Sequence, residues 1–310
     1  MIHLTDPLAE IVALLQPRLP FSKTASGSGS WHVDGKGDGS PFFAAILEGS
    51  AKLSIAGESE ARLEENDFVL IPAAYQFTMA STEAPAVDAG DPLRVTKLAE
   101  ETRHGDPTGD PNMRILIGRL AFGSPDSKLI LALLPRLLLV RRQARLTTLV
   151  QMIRGEAQDV RPAKEFVLER LLQVLLIEAL RSDTAALEAP GLLRGLADRN
   201  LSLALRALHE APNQAWSVED LAAKAMLSRS AFFEKFQKQT GMAPMEYLTS
   251  WRMALAKDML RRRDGQMKEI AERVGYGSAS AFSVAFSRFV GVPPSIYARP
   301  ADADSSERWT

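Results

Sequence analysis

The spacing of apolar residues along this 310-residue chain changes character twice. Leu8, Ile11, Val12 and Leu15 recur at helical intervals and are stopped by Pro17 and Pro20, which predicts a short amphipathic helix inside residues 1–20. Residues 21–40 carry glycines at 27, 29, 35, 37 and 39, too many for a regular helix. The stretch lacks the strand–glycine–helix context of a phosphate loop and reads as a flexible loop between strands. From 41 to 80 short apolar runs are divided by turn residues: FFAAILE, Gly49-Ser50, AKLSI, Ala56-Gly57, Ala61–Leu63, Glu65-Asn66-Asp67, then Phe68–Ile71 before Pro72. Asn and Gly accept positive φ, so these breaks mark hairpins. Several strands with no helix between them predict a small antiparallel barrel or sandwich.

From 128 the period becomes helical. One helix is predicted over 145–156. A second covers 162–181, with Pro162 in its first turn and Phe166, Leu172, Leu175, Leu176 and Leu180 apolar. Its LLQVLLI centre is apolar on more than one face, so it buries against a second subunit or in an ordinary core, and both readings stay open. Residues 183–199, with Pro190-Gly191, read as a linker.

Residues 200–299 repeat one local plan. Val218–Ala225, a turn at Met226-Leu227 and a helix from Ser228 to Gly241 form the first copy, with Pro244 beyond. Met267–Val274, the turn Gly275–Gly277 and a helix from Ser278 to Gly291 form the second, with Pro293 and Pro294 beyond. Ser can cap the free N–H groups of each later helix, and Gly can close it in the left-handed conformation. Phe232 and Phe236, like Phe282 and Phe286, are four apart, so each pair shares one buried face and leaves the other free. Helix, short turn and helix with a free face is the helix-turn-helix plan, and such a helix fits a major groove about 12 Å wide. Pro244–Arg263 reads as one long connecting helix; a rigid connector could hold two reading helices about 34 Å apart on one DNA face. An all-helical interaction domain is the alternative.

Net charge is only −1, but it is unevenly spread. Residues 1–110 hold 8 Lys/Arg against 17 Asp/Glu, whereas residues 200–300 hold 14 against 9. That asymmetry suits a polyanion-binding module joined to a ligand-binding or interaction module. The absence of Cys excludes a disulfide scaffold, a Cys-based zinc site and a thiol redox sensor. No basic stretch followed by an apolar core opens the chain, and the longest apolar runs, 129–140 and 171–177, fall short of the ~20 residues of a membrane helix. A soluble, cytoplasmic protein with no membrane partner is expected.

VEDLAAKAMLSRSAFFEKFQKQTGMAPMEYLTSWRMALAKDML and IAERVGYGSASAFSVAFSRFVGVPPSIYAR resemble the DNA-binding domain of the AraC/XylS family across essentially all of 200–299. LADRNLSLALRALHEAP resembles that domain's first helix in one subgroup, whose N-terminal half resembles a cupin, a small β-barrel that senses a ligand or mediates dimerisation. DPLAEIVALLQPR, ILEGSAKLSI, ENDFVLIPAA and IGRLAFGSPDSKLILALLP carry this second resemblance. The resemblance to the AraC/XylS DNA-binding domain implies that the first reading helix presents Ser230, Phe233 and Glu234 to base edges, with Arg229, Gln237 and Lys238 near phosphates. A carboxylate such as Glu234 can accept from cytosine N4, and Phe233 can pack on a thymine methyl. The matching positions of the second helix are Ala279, Ser280, Ser283 and Val284. Arg is common in the family where Val284 stands, and Val donates no hydrogen bond. The second helix is therefore expected mostly to position the protein, through Ser287 and Arg288 on the backbone, while the first discriminates sequence. Arg252 on the connecting helix is expected to be structural or to contact phosphate, and Trp216 and Trp251 to be core.

Cupin enzymes hold a metal with two or three His and a carboxylate. This chain has His3, His32, His104 and His209, of which only His32 falls in the strand region as read. The barrel's second signature normally ends with His after its Pro-containing turn; here Pro72-Ala73-Ala74-Tyr75 leads to Gln76, a poor ligand. A Cys often precedes the Gly of Ile117-Gly118-Arg119 in this subgroup, and Ile117 removes it. No catalytic residue, metal or cofactor is assigned. The candidates for an organic effector are Trp31, His32, Phe43, Tyr75 and Gln76.

The expected architecture is α+β: a cupin-like β-barrel over 1–127, a helical connecting or dimerisation segment over 128–199, an all-α domain with two helix-turn-helix motifs over 200–299, and a polar tail at 300–310. The expected function is a sequence-specific, ligand-responsive transcription regulator. Its partners would be promoter DNA, a second copy of itself and, if it activates, RNA polymerase. A DNA-binding regulator whose barrel makes only protein contacts, and a metal-dependent cupin enzyme, are the alternatives.

Overall fold

The structure, a computed structural model, describes residues 6–35, 41–71, 76–82, 94–98, 101–123, 137–182 and 191–298. The chain forms two compact units, one of residues 15–189 and one of residues 1–14 with 190–310. This departs from the boundaries at 127 and 199. The helices that follow the strands group with the strands, and the N-terminal helix groups with the C-terminal unit.

The strand unit contains β1 (Pro17–Ser28), β2 (His32–Gly35), β3 (Phe42–Ile55), β4 (Ala61–Glu64), β5 (Phe68–Ile71), β6 (Phe77–Ala80), β7 (Val95–Lys97), β8 (Thr102–Gly105), β9 (Met113–Phe122) and β10 (Leu138–Val140). They form a curled sheet in the order β10-β5-β3-β9-β1-β8-β7, with β4 and β6 also on β3 and β2 on β6. β3 can serve both parts because its first half pairs with β5 and β9 and its second half with β4 and β6.

Two local readings of the sequence are corrected here. Gly49-Ser50 is no hairpin turn but lies inside a 14-residue strand, where the register slips between Ile46 and Glu48 and Gly49 takes φ 75°. The glycine supplies the positive φ, and the strand bends at a bulge instead of reversing. Residues 21–28 are no loop but continue β1, with Gly27 paired to Met113. A Cβ on Gly27 would fall inside the Trp31 indole, so the glycine marks a close approach of ring to backbone. Gly57 (φ 87°) and Asn66 (φ 68°) do form the turns read from the sequence.

Alternation along the strands buries Trp31, Ala44, Ile46, Leu53, Leu63, Val69 and Ile115 in one cluster. α2 (Ala144–Gln158) and α3 (Lys164–Ser182) pack on each other, and α3 packs on β1. Pro162 stands outside α3, because Ala163 at φ 62° interrupts the chain before the helix begins. Leu172, Leu175, Leu176 and Leu180 are buried, whereas Phe166 is 60% exposed.

The helical unit contains α1 (Pro7–Leu15, its last residue at the boundary), α4 (Leu192–Ala197), α5 (Arg199–Glu210), α6 (Val218–Lys224), α7 (Arg229–Thr240), α8 (Pro244–Arg262), α9 (Met267–Arg273), α10 (Ala279–Val290) and α11 (Pro294–Tyr297). The end of the expected linker is therefore structured. Asp198 caps α5 by accepting the N–H groups of Asn200 and Leu201, and its other oxygen lies 2.8 Å from Lys235 on α7. Residues 183–190 and the tail 300–310 lie outside the described residues.

Candidate functional site

The two helix pairs are cut by the signals their sequences carry. Ser217 and Asp220 form a reciprocal capping box at the start of α6, and at α9 the Glu269 carboxylate accepts the Gln266 N–H at 2.8 Å. Met226 (φ 56°) and Gly275 (φ 83°) make the left-handed step of each turn. Ser228 then caps α7 by accepting from Ala231 N–H at 3.3 Å, and Ser278 caps α10 by accepting from Ala281 N–H at 3.1 Å. Gly241 and Gly291 close them at φ 81° and 88°.

Inside each later helix two fully buried rings fix which face is hidden. Phe232 and Phe236 have centroids 5.5 Å apart, and Phe282 and Phe286 repeat that distance. The opposite face of α7 presents Arg229, Ser230, Phe233, Glu234, Gln237 and Lys238, all exposed, with Phe233 at 39%. Ser280, Arg288 and Val284 are exposed on α10, Val284 at 71%. Ala279, Ser283 and Ser287 are half-buried there. Ser283 Oγ donates to the Ala279 carbonyl at 2.8 Å and Ser287 Oγ to that of Ser283 at 2.7 Å. Those two hydroxyls keep lone pairs to offer but have given their protons to their own helix.

Arg229 pairs with Glu219 of α6 at 2.8 Å, both side chains being largely exposed. Arg252 takes the structural role of the two expected for it: its Nε donates to the Pro212 carbonyl and Nη2 to that of Gln214, each at 2.7 Å, strapping the loop before α6. Trp216 and Trp251 are buried as expected.

The curled sheet encloses a cavity of about 420 Å³. Of the four described residues among the five proposed for it, only Trp31 lines it. Phe43 is buried on the other side of β3, stacked on Phe68 with centroids 5.9 Å apart, while its neighbours Phe42 and Ala44 face the cavity. The period-two alternation of β3 imposes this. His32 points to Asp34, 2.9 Å away, and Gln76 borders a separate shallow depression. Tyr75 lies outside the described residues.

The sequence reading missed Lys23, His104 and Arg119, which line the cavity. His104 sits on β8, so His32 is not alone among the strands. The signal was present as alternation: Phe21, Lys23 and Ala25 share one face of β1, and Ile115, Ile117 and Arg119 one face of β9. Reading 21–40 as a loop hid the first of these. Among the described residues no group of three potential metal ligands occurs, and no helix is long and apolar enough to cross a membrane.

A cupin family model matches residues 6–185 and a helix-turn-helix domain model residues 221–300. The chain is 34% identical over 300 residues to an AraC-like transcription regulator of Streptomyces lividans, covering 94% of this chain and 97% of that protein. It is also 34% identical over 300 residues to one of Streptomyces antibioticus, covering 94% and 98%. Among solved structures, the DNA-binding domain of AdpA in complex with a target DNA is 33% identical, covers 33% of this chain and 91% of its own, and superposes with a TM-score of 0.31.

Proposed function

The chain belongs to the AraC-like transcription regulators with a cupin-like N-terminal domain, and on that footing we propose that it reads promoter sequence as a homodimer and answers to a small organic effector. The observation that carries the DNA-reading part is the repeated unit itself. Two helices, each capped by Ser, closed by a left-handed Gly and anchored by a buried Phe pair, turn their remaining face to solvent.

Phe233 and Glu234 supply the groups that discriminate bases on α7, and Ser230 lies at the N-terminal end that enters a groove first. α10, with Val284 at its centre, contributes apolar contact and orientation. Arg288, like Arg229, Gln237 and Lys238 on α7, serves the phosphates, and Ser287 joins it by turning its hydroxyl from the Ser283 carbonyl to a DNA backbone oxygen. Phe166, Val167 and Val174 leave apolar surface exposed along α3, which supports dimerisation through that helix. The cavity of the strand unit is given a sensing role and no reaction. RNA polymerase would be the further partner of an activator, and the cytoplasm its compartment.

Selection of binding sites from a randomised duplex pool by the full-length protein tests the reading. An enriched motif with two half-sites is expected; a pool left unenriched at low salt would overturn it.

A further inference from the structure

The walls of the cavity specify a ligand by what they lack as well as by what they hold. Among its described lining residues none is acidic and none carries a hydroxyl or amide. The Trp31 Nε1–H already donates to Asn112 Oδ1 at 2.9 Å. What remains polar is Lys23, His104 and Arg119. In the antiparallel β1–β9 pair Lys23 lies opposite Ile117 and Phe21 opposite Arg119, so the two cations are diagonal neighbours on one face. His104 comes from β8, on the other side of β1, opposite Gly27. Among the described residues Lys23 has no ion pair, and Nδ1 of His104, a residue only 8% exposed, has no hydrogen-bond partner.

We propose that this cavity binds a small organic acid, its carboxylate held by Lys23 and His104 and its apolar body lying among Trp31, Phe42, Phe77 and Ile115. The inference rests on the sensing role given to the strand unit above. Other ligand classes meet specific costs. A sugar would bury several hydroxyls against described walls whose one neutral polar side chain is the His104 imidazole. A metal ion would find a single imidazole. An organic cation would meet like charge, and a bare hydrocarbon would cover an ammonium and an imidazole without pairing either. Burial, and then the Lys23 charge, hold the His104 pKa below its ordinary value. At neutral pH the imidazole is thus uncharged: Lys23 supplies the charge, and an N–H of His104 supplies a directed hydrogen bond.

Calorimetric titration of the full-length protein with octanoate and 4-phenylbutyrate, each against its amide, and with glucose, tests the proposal. One acid per chain is expected to bind, with the amide weaker by about ten- to a hundredfold, as for loss of a charged hydrogen-bond partner. Lys23→Met should bring the acid down to the level of its amide, and Lys23→Arg should restore most of the difference. Amide and acid binding equally would overturn the carboxylate assignment while leaving the sensing role intact; so would binding of glucose alone. If no probe binds, the sensing role itself fails. The acid–amide comparison needs no variant, so a poorly folding Lys23→Met does not remove the test.

Discussion

Glu10 and His209 stand 199 positions apart in the chain, and a carboxylate oxygen of the first lies 2.8 Å from Nδ1 of the second. The other ring nitrogen, Nε2, is 2.8 Å from the Tyr247 hydroxyl, and the Trp251 ring lies against the imidazole with centroids 4.1 Å apart. A neutral histidine satisfies both contacts: Nδ1–H donates to the carboxylate, and Nε2 accepts from the phenol. Burial raises the Tyr247 pKa, so the phenol keeps the proton it donates. α1 is thereby tied to α5 and α8, which accounts for its grouping with the helical unit although the strands follow it directly.

This arrangement predicts a pH dependence. Burial pushes the His209 pKa below its ordinary value, and Glu10 pulls less strongly the other way. The unfolded chain then binds the proton more readily. The stabilisation is complete above the unfolded value of about 6.5 and is lost as pH falls from there towards the folded one. The urea midpoint should decline between about pH 7 and 5, with a smaller decline left in His209→Gln because the His104 pKa is also lowered. Glu10→Ala, which strands the buried Nδ1–H, should cost about 2 kcal/mol. A flat wild-type profile would refute the neutral-histidine reading.

Phe232 and Phe233 are adjacent in sequence yet face opposite surroundings, one fully buried and the other 39% exposed. Phe232→Ala should destabilise by about 3–5 kcal/mol through loss of packing and the cavity left behind. Phe233→Ala should leave the melting temperature unchanged and weaken discrimination at one base position by about 1–3 kcal/mol. Glu234→Ala should behave likewise at its neighbour. Val284→Ala should change overall affinity a little and sequence preference hardly at all. Competition binding against single-base variants of the selected site measures all three. Loss of preference in Val284→Ala as complete as in the α7 variants would sink the division of labour.

The helical unit was legible because its signals are local. Ser228, Gly241, Ser278 and Gly291 act within their own turns, and the Phe pairs expose the buried face by spacing alone. The strand unit was less legible because its glycines serve long-range geometry. Gly27 yields to Trp31, and Gly49 bends a strand against Asn112, which only the fold brings near. The cavity followed the same rule. Phe43, chosen as a large aromatic, is turned away by alternation, while Lys23 and His104 gain meaning only once β1 and β8 are side by side. The Glu10–His209 contact had no local signature at all.

Binding to the selected duplex should weaken steeply with salt, since each phosphate neutralised releases counterions. Lys238→Ala and Arg288→Ala should each reduce the slope of log K against log salt by about one and weaken all sequences equally. Arg229 is held by Glu219 at 2.8 Å, so Glu219→Ala should free it and tighten binding at low salt. Anisotropy titrations over a salt series read these slopes. Affinity indifferent to salt would contradict the phosphate roles.

Two glycines of the strand unit should respond to the same methyl group with opposite signs. At Gly27 the added carbon meets the indole of Trp31, which is buried and donates to Asn112, so the ring cannot swing aside without losing that bond. Gly27→Ala should therefore destabilise by about 1–3 kcal/mol, as overpacking does, and weaken octanoate binding, because the displaced ring is a wall of the cavity. Gly155 lies in the interior of α2, is exposed, and has open space where its Cβ would stand. There the methyl only narrows the unfolded ensemble and favours the helix, so Gly155→Ala should stabilise by about 0.5–1 kcal/mol. Urea unfolding of both variants under one set of conditions decides the matter. If Gly27→Ala proved neutral, the close approach of indole to β1 would be wrong, and with it the shape of the cavity wall.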